Sequence, residues 1–202
     1  MMSDLKKLLI SGSLVFFALS CAVFFTGTDR WLCVLAMSCS FLGDILLSDI
    51  KVLHKKLPYY FECGAAAFGL AHIFYGMAYF YLLKNETNWL GGWNMGTKLA
   101  AVVMISLWFY FVKNCIYKKK WNYLPIVIIY ILLIGIEFMI VMTYVWKASS
   151  INKSVLGAGL GALFFLVSDC CLGMGRIVGN HRFDKYVWIF YPIGQCLLIF
   201  CA

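Results

Sequence analysis

Charge is scarce in this chain. Of its 202 residues only 9 are acidic and 17 are Lys or Arg, so 13% are charged where a soluble domain carries about 25%. So few charges cannot clothe a water-facing surface, and 63% hydrophobic residues with a mean hydropathy of +0.87 make lipid the solvent. No polar linker breaks the apolar pattern, so residues 1–202 read as one transmembrane domain. No internal repeat or low-complexity tract occurs either. The nine cysteines form no CxxC pair, and most of them (Cys21, Cys33, Cys39, Cys170, Cys171, Cys196 and Cys201) sit inside apolar segments. They read as small hydrophobes for helix packing, not as a disulfide framework or a metal cluster.

What the chain has is apolar segments, each continuous for roughly 17–23 residues and without alternation. In lipid every backbone N–H and C=O needs an internal partner, which leaves helices or closed barrels, and segments of this length without period two are helices. The spacing predicts an all-α bundle of about seven transmembrane helices, at 8–25, 31–48, 59–83, 98–113, 123–146, 155–175 and 186–202. Lys6-Lys7 ahead of the first segment resembles a signal-peptide start, but the apolar stretch runs on to Phe25 and reads as an uncleaved helix. Twelve of the 17 Lys and Arg fall at the N-terminus and in the second, fourth and sixth loops, against five on the other side. That bias predicts a cytoplasmic N-terminus and an outer C-terminus. A net charge of +8 held in such short loops meets lipid headgroups and implies no nucleic-acid partner.

Trp31, Trp89, Trp93, Trp121, Tyr123, Trp146 and Trp188 crowd the segment ends as interfacial belts do. Gly157, Gly159, Gly161 and Ala162 let the sixth helix approach a neighbour closely. The informative residues are the polar ones at membrane depth, each of which needs a partner or a role: Ser40, Asp44, Ser48, His72, Tyr75, Glu137, Ser168, Asp169, Tyr191 and Gln195. At about 1.5 Å per residue, Asp44 and Asp169 lie about 6 and 9 Å inside the cytoplasmic ends of their helices. Tyr191 falls near 8 Å, Gln195 near 14 Å and His72 near 20 Å on the same rough scale. One cavity opening toward the cytoplasmic half is expected to gather them. Lys51 follows Asp44 by seven residues, and Arg176 follows Asp169 by the same interval. That is nearly two helical turns, which sets a cation over each carboxylate, as a phosphate-headed lipid would require; the plainer reading is that these cations mark the membrane edge.

Two aspartates in an oily pocket have a structural reading, as a hydrogen-bonded pair pinning helices, and a chemical one. Desolvation disfavours charge and neighbouring carboxyl groups share a proton, so one can donate and the other accept. His72 is as readily a structural hydrogen-bonder as a participant, and Glu137 has no evident role.

Ser40-Phe41-Leu42-Gly43-Asp44, then Ala71-His72-Ile73-Phe74-Tyr75, then Ser168-Asp169, then Tyr191 with Gln195-Cys196-Leu197-Leu198-Ile199 resemble, in that order, the YhhN family. The resemblance covers the chain from about residue 5 and rests on the composite of four short motifs. It implies a polytopic hydrolase of the vinyl ether bond of lysoplasmalogens, releasing a fatty aldehyde and a glycerophospho-base, with ethanolamine and choline headgroups both open. It implies Asp44 and Asp169 as the catalytic pair and His72, Tyr75, Tyr191 and Gln195 as pocket positions. Ser40, Ser168, Lys51 and Arg176 join them as candidate substrate contacts. Family members usually have eight spans, so this chain corresponds to the second onward, and Glu137 has no counterpart. The reaction suits the residues: protonation of the alkene carbon needs a carboxylic acid, and water attack on the oxocarbenium ion needs a carboxylate. No metal or cofactor is required, and the partners expected are a lysophospholipid substrate and membrane lipids.

Other readings fit less well. An intramembrane aspartyl protease would carry glycine where Phe41 stands, and a retinal protein would carry a lysine inside the last helix, beyond Lys185. A zinc hydrolase needs several histidines at membrane depth, but His54 and His181 fall in loops. From another class, a proton-coupled transporter or lipid-binding protein would relay protons through Asp44, Glu137 and Asp169, and would release no aldehyde.

Overall fold

The computed structural model describes residues 3–48, 57–86, 94–148 and 153–202. Seven long helices follow one another, with no strand among the described residues: α1 (Asp4–Phe25), α2 (Thr28–Leu47), α3 (Tyr60–Glu86), α4 (Met95–Tyr117), α5 (Leu124–Lys147), α6 (Lys153–Gly173) and α7 (Asp184–Cys201). Each matches one of the expected spans, with ends shifted by a few residues. Helices α1 to α6 are long and apolar enough to cross a membrane. Helix α7 carries Asp184, Lys185, Tyr191 and Gln195, falls short of that apolarity, and is held against α6 and α1. The chain is a multi-pass helical membrane protein.

Local chemistry sets the helix ends. The Asn94 side chain accepts from the Thr97 N–H at 2.8 Å and caps α4. Pro125 opens α5, where a missing N–H costs nothing. Arg30 donates to the carbonyls of Ile199 at 2.8 Å and Phe200 at 2.9 Å, satisfying the last turn of α7. Helix α6 ends differently. Met174–Val178 widens into a π-helical turn that stops at Gly179, whose φ of 75° is left-handed and favours glycine.

Helices α1, α2, α3, α5, α6 and α7 form a closed ring in that order, and α4 lies outside it against α5 and the π turn. Between α6 and α7 the backbones nearly touch. A Cβ on Gly161 would fall 2.9 Å from Leu198 N, and one on Gly194 would fall 2.8 Å from Phe165 N. The glycines of the sixth helix act as expected, allowing close approach. The antiparallel order gathers the starts of α1, α3, α5 and α7 with the ends of α2, α4 and α6. Lys118 and Lys120 at this end donate to the carbonyls of Val178 and Arg176, the second at 2.7 Å, and Lys7 lies 6.0 Å from the Trp188 ring. This is the basic end of the bundle.

Gly194→Ala is expected to destabilise the protein by about 1–3 kcal/mol through overpacking, read as a lower melting temperature in detergent. Gly12→Ala, whose Cβ would meet only Phe41 ring atoms at 3.9 Å, should leave it unchanged.

Candidate functional site

The interior polar side chains sort into three sets, each joining three helices. In the first, His72 on α3 stands between Glu137 on α5 and Asp169 on α6. Its Nδ1 faces Glu137 Oε2 and its Nε2 faces Asp169 Oδ2 at 3.0 Å, with all three groups buried. The imidazole stacks on Phe165 at 4.6 Å and takes the edge of Tyr130 at 5.5 Å. In the second, Asp44 Oδ2 on α2 accepts from Ser11 Oγ on α1 at 2.5 Å and from the Tyr191 hydroxyl on α7 at 2.7 Å. In the third, the Tyr75 hydroxyl donates to Gln195 Oε1, and Gln195 Nε2 donates to Ser40 Oγ at 3.3 Å.

The first set constrains its own protons. A hydrogen bond at each ring nitrogen needs a hydrogen in each contact, and a bare carboxylate supplies none. Two protons are therefore shared among three groups. Either the imidazole holds both, or it holds one and a carboxyl group holds the other. Both arrangements leave one net negative charge, and they differ by moving a proton along a bond. In the second set both donors are hydroxyl groups, so Asp44 needs no proton of its own to complete either bond.

An apolar cleft with an empty volume of about 710 Å³, counted to its open mouth, lies among α3, α4, α5 and α6. Phe61, Phe68, Met104, Ile131 and Leu166 line it, and its polar wall residues are Asp169, Tyr130 and Arg176. Asp169 is 8% exposed, and its chain with His72 and Glu137 begins at the cleft wall. The buried Tyr130 hydroxyl interacts with the Asp169 carboxyl group beside it, and Glu137 Oε1 has no well-formed hydrogen bond.

The expected site residues divide accordingly. Asp169 and Arg176 meet the cleft, Arg176 from the exposed π turn and not from a regular α-helical position above Asp169. Asp44 does not line it. It stands behind the wall, between Gly43, on which Phe68 packs, and the region of Leu47. Phe68 and Phe165 both lie against Tyr191, at 6.2 and 6.1 Å, and Phe165 also stacks on His72, so aromatic rings connect the surroundings of the two carboxyl groups. A single cavity holding all the polar groups is not what forms. His72, Ser40, Tyr75 and Gln195 are not among the cleft's lining residues; they hydrogen-bond to one another or to acids and tie helices together. Tyr191 holds Asp44, and Ser168 makes a long 3.5 Å contact to the Val187 carbonyl on α7. Lys51 lies outside the described residues.

Sequence reasoning missed three residues. Glu137 was visible at membrane depth but its partner was not, because pairing depends on how α3 and α5 are rotated. Ser11 and Tyr130 look like ordinary members of apolar helices, and nothing in their spacing marks them.

These features define a polytopic helical membrane protein with a buried carboxyl–imidazole–carboxyl chain opening on a hydrocarbon-lined cleft. Residues 2–202 match the YhhN family, and the chain belongs to it. No curated protein and no solved structure matches it.

Tyr75→Phe and Gln195→Leu should show a coupling of about 0.6 kcal/mol, at most about 1.7, in a double-mutant cycle of unfolding in bilayer-like detergent. Glu137→Leu, which strips His72 Nδ1 of its partner inside the bundle, should cost about 1–3 kcal/mol in the same assay.

Proposed function

We propose that this protein hydrolyses the vinyl ether bond of lysoplasmalogens, with Asp169 as the acid. The observation that carries this reading is a carboxyl group that can hold a proton set in the wall of a cleft otherwise lined by hydrocarbon. Family membership supports a hydrolase, and the resemblance of its motifs supports the substrate class. A cleft of this composition suits an alkenyl chain, and Arg176 on the exposed π turn suits a phosphate.

The steps balance. Asp169 gives its proton to the alkene carbon remote from the ether oxygen, and the chain carbon bonded to oxygen becomes an oxocarbenium ion. The carboxylate now on Asp169 stabilises that cation, and Asp44 behind the cleft wall adds to this when ionised. Water adds to the cationic carbon and returns a proton to Asp169. The resulting hemiacetal collapses to a fatty aldehyde and the glycerophospho-base as its C–O bond to glycerol breaks, the glycerol oxygen gaining a proton and the hemiacetal hydroxyl losing one, both exchanged through the Asp169 carboxyl group. His72 and Glu137 act through Asp169 by holding its oxygen in place and exchanging its proton. The distribution of Lys and Arg supports an orientation with the basic end toward the cytoplasm.

Purified protein in mixed micelles should release aldehyde from lysoplasmalogen. Asp169→Asn should lower the rate by about 10²–10⁴-fold, the range of general acid catalysis. Asp44→Asn and Glu137→Gln should lower it less, about tenfold each. If no aldehyde forms but a proton gradient drives uptake of a solute into proteoliposomes, the protein is a transporter and this proposal fails.

A further inference from the structure

A second void lies on the outer face of the ring, in the groove between α3 and α5. It shares Ala65, Ile126 and Tyr130 with the cleft, so the two adjoin at these side chains. Its other walls are apolar, among them Leu70, Ile73 and Leu133, except at the basic end, where Glu62 lines it. From Glu62 to Ile73 the groove follows α3 for about 16 Å, the length of roughly a dozen extended methylenes.

We infer that this groove is a lateral entrance that takes a single-chain, amine-bearing phospholipid from the bilayer and passes its tail beside Tyr130 into the cleft. The inference rests on the proposed lipid substrate and adds its route and headgroup chemistry. Three observations commit the groove to that occupant. Its apolar length begins at the membrane interface and runs inward, as a lipid tail does. The half-buried Glu62 carboxylate stands at the headgroup level, where it complements an ammonium group, while Arg176 on the neighbouring void complements a phosphate. Tyr130 lines both voids with its hydroxyl beside the Asp169 carboxyl group, so a tail passing it enters the cleft at that wall. Water-soluble substrates have no need of such an opening, because the mouth beside Arg176 is exposed.

The test uses the intact protein in bilayer nanodiscs with a lysophosphatidylethanolamine analogue whose chain is a saturated ether carrying a terminal diazirine. This probe cannot be hydrolysed, so labelling reports the route even if no lipid is ever cleaved. Photolabel is expected on Leu70 or Leu133 as well as on cleft residues such as Met104. Ala66→Trp, which fills the groove from its exposed side, should reduce label at both places about tenfold, equivalent to about 1.4 kcal/mol. It should slow bilayer-borne lysoplasmalogen similarly and spare a short-chain soluble substrate. Glu62→Gln should weaken this probe and leave an analogue without the amine unaffected. Label confined to cleft residues and indifferent to Ala66→Trp overturns the lateral route. Absence of any label overturns it too. Groove labelling without aldehyde release would keep the entrance and sink the hydrolase.

Discussion

The bundle is organised around one histidine held between two acids in a medium that tolerates neither charge nor an unmet hydrogen bond. Alone in hydrocarbon, each of His72, Glu137 and Asp169 would carry a penalty of several kcal/mol. Together they use one another's donors and acceptors, and only one rotation of α3, α5 and α6 allows it. Phe165, stacked on the imidazole, fixes the ring plane, while Gly194 brings α7 against the backbone of that same Phe165. The position of the seventh helix, and with it Tyr191 and Asp44, thus follows from where the histidine sits.

The two aspartates come from similar sequence surroundings and end in different chemical ones. Asp44 receives two hydroxyl donors, from Ser11 and Tyr191, which hold one of its oxygens in place. Asp169 shares protons with His72 along a chain that can shift them, and it borders apolar space. In the proposed reaction these different surroundings give Asp169 the part of proton donor and leave Asp44 as the second carboxyl group.

Much of this could be read from the residues beforehand. Seven apolar segments named the helices, because hydropathy in lipid leaves the backbone few choices. Polar residues at membrane depth named Asp44, His72, Asp169, Tyr191 and Gln195, because burial without a partner is expensive. Which partner each one takes was not readable. The pattern of a single helix fixes a face but not the neighbour it meets, so Glu137 had no evident role and Ser40, Tyr75 and Gln195 looked like pocket residues when they form a clamp. Depth was misjudged where local geometry departed from a regular helix. The π turn carries α6 on to Val178, which sinks Asp169 deeper than counting from residue 175 implied and brings it level with His72. The same turn removes Arg176 from the α-helical register that would have set it above Asp169.

Helix α7 shows why polarity and insertion are compatible here. By composition it is the weakest span, interrupted by Pro192 and carrying Tyr191 and Gln195 inward. A helix with those residues would face hydrocarbon poorly by itself. In the ring each of them is used: Tyr191 donates to Asp44, Gln195 joins Tyr75 to Ser40, and Arg30 takes up the terminal carbonyls. Its stability in the membrane therefore comes from its neighbours and not from the lipid. The polar groups that make it a poor span alone are the ones that bind Asp44 in place behind the cleft wall, so that closing the ring and setting the second carboxyl group are one event.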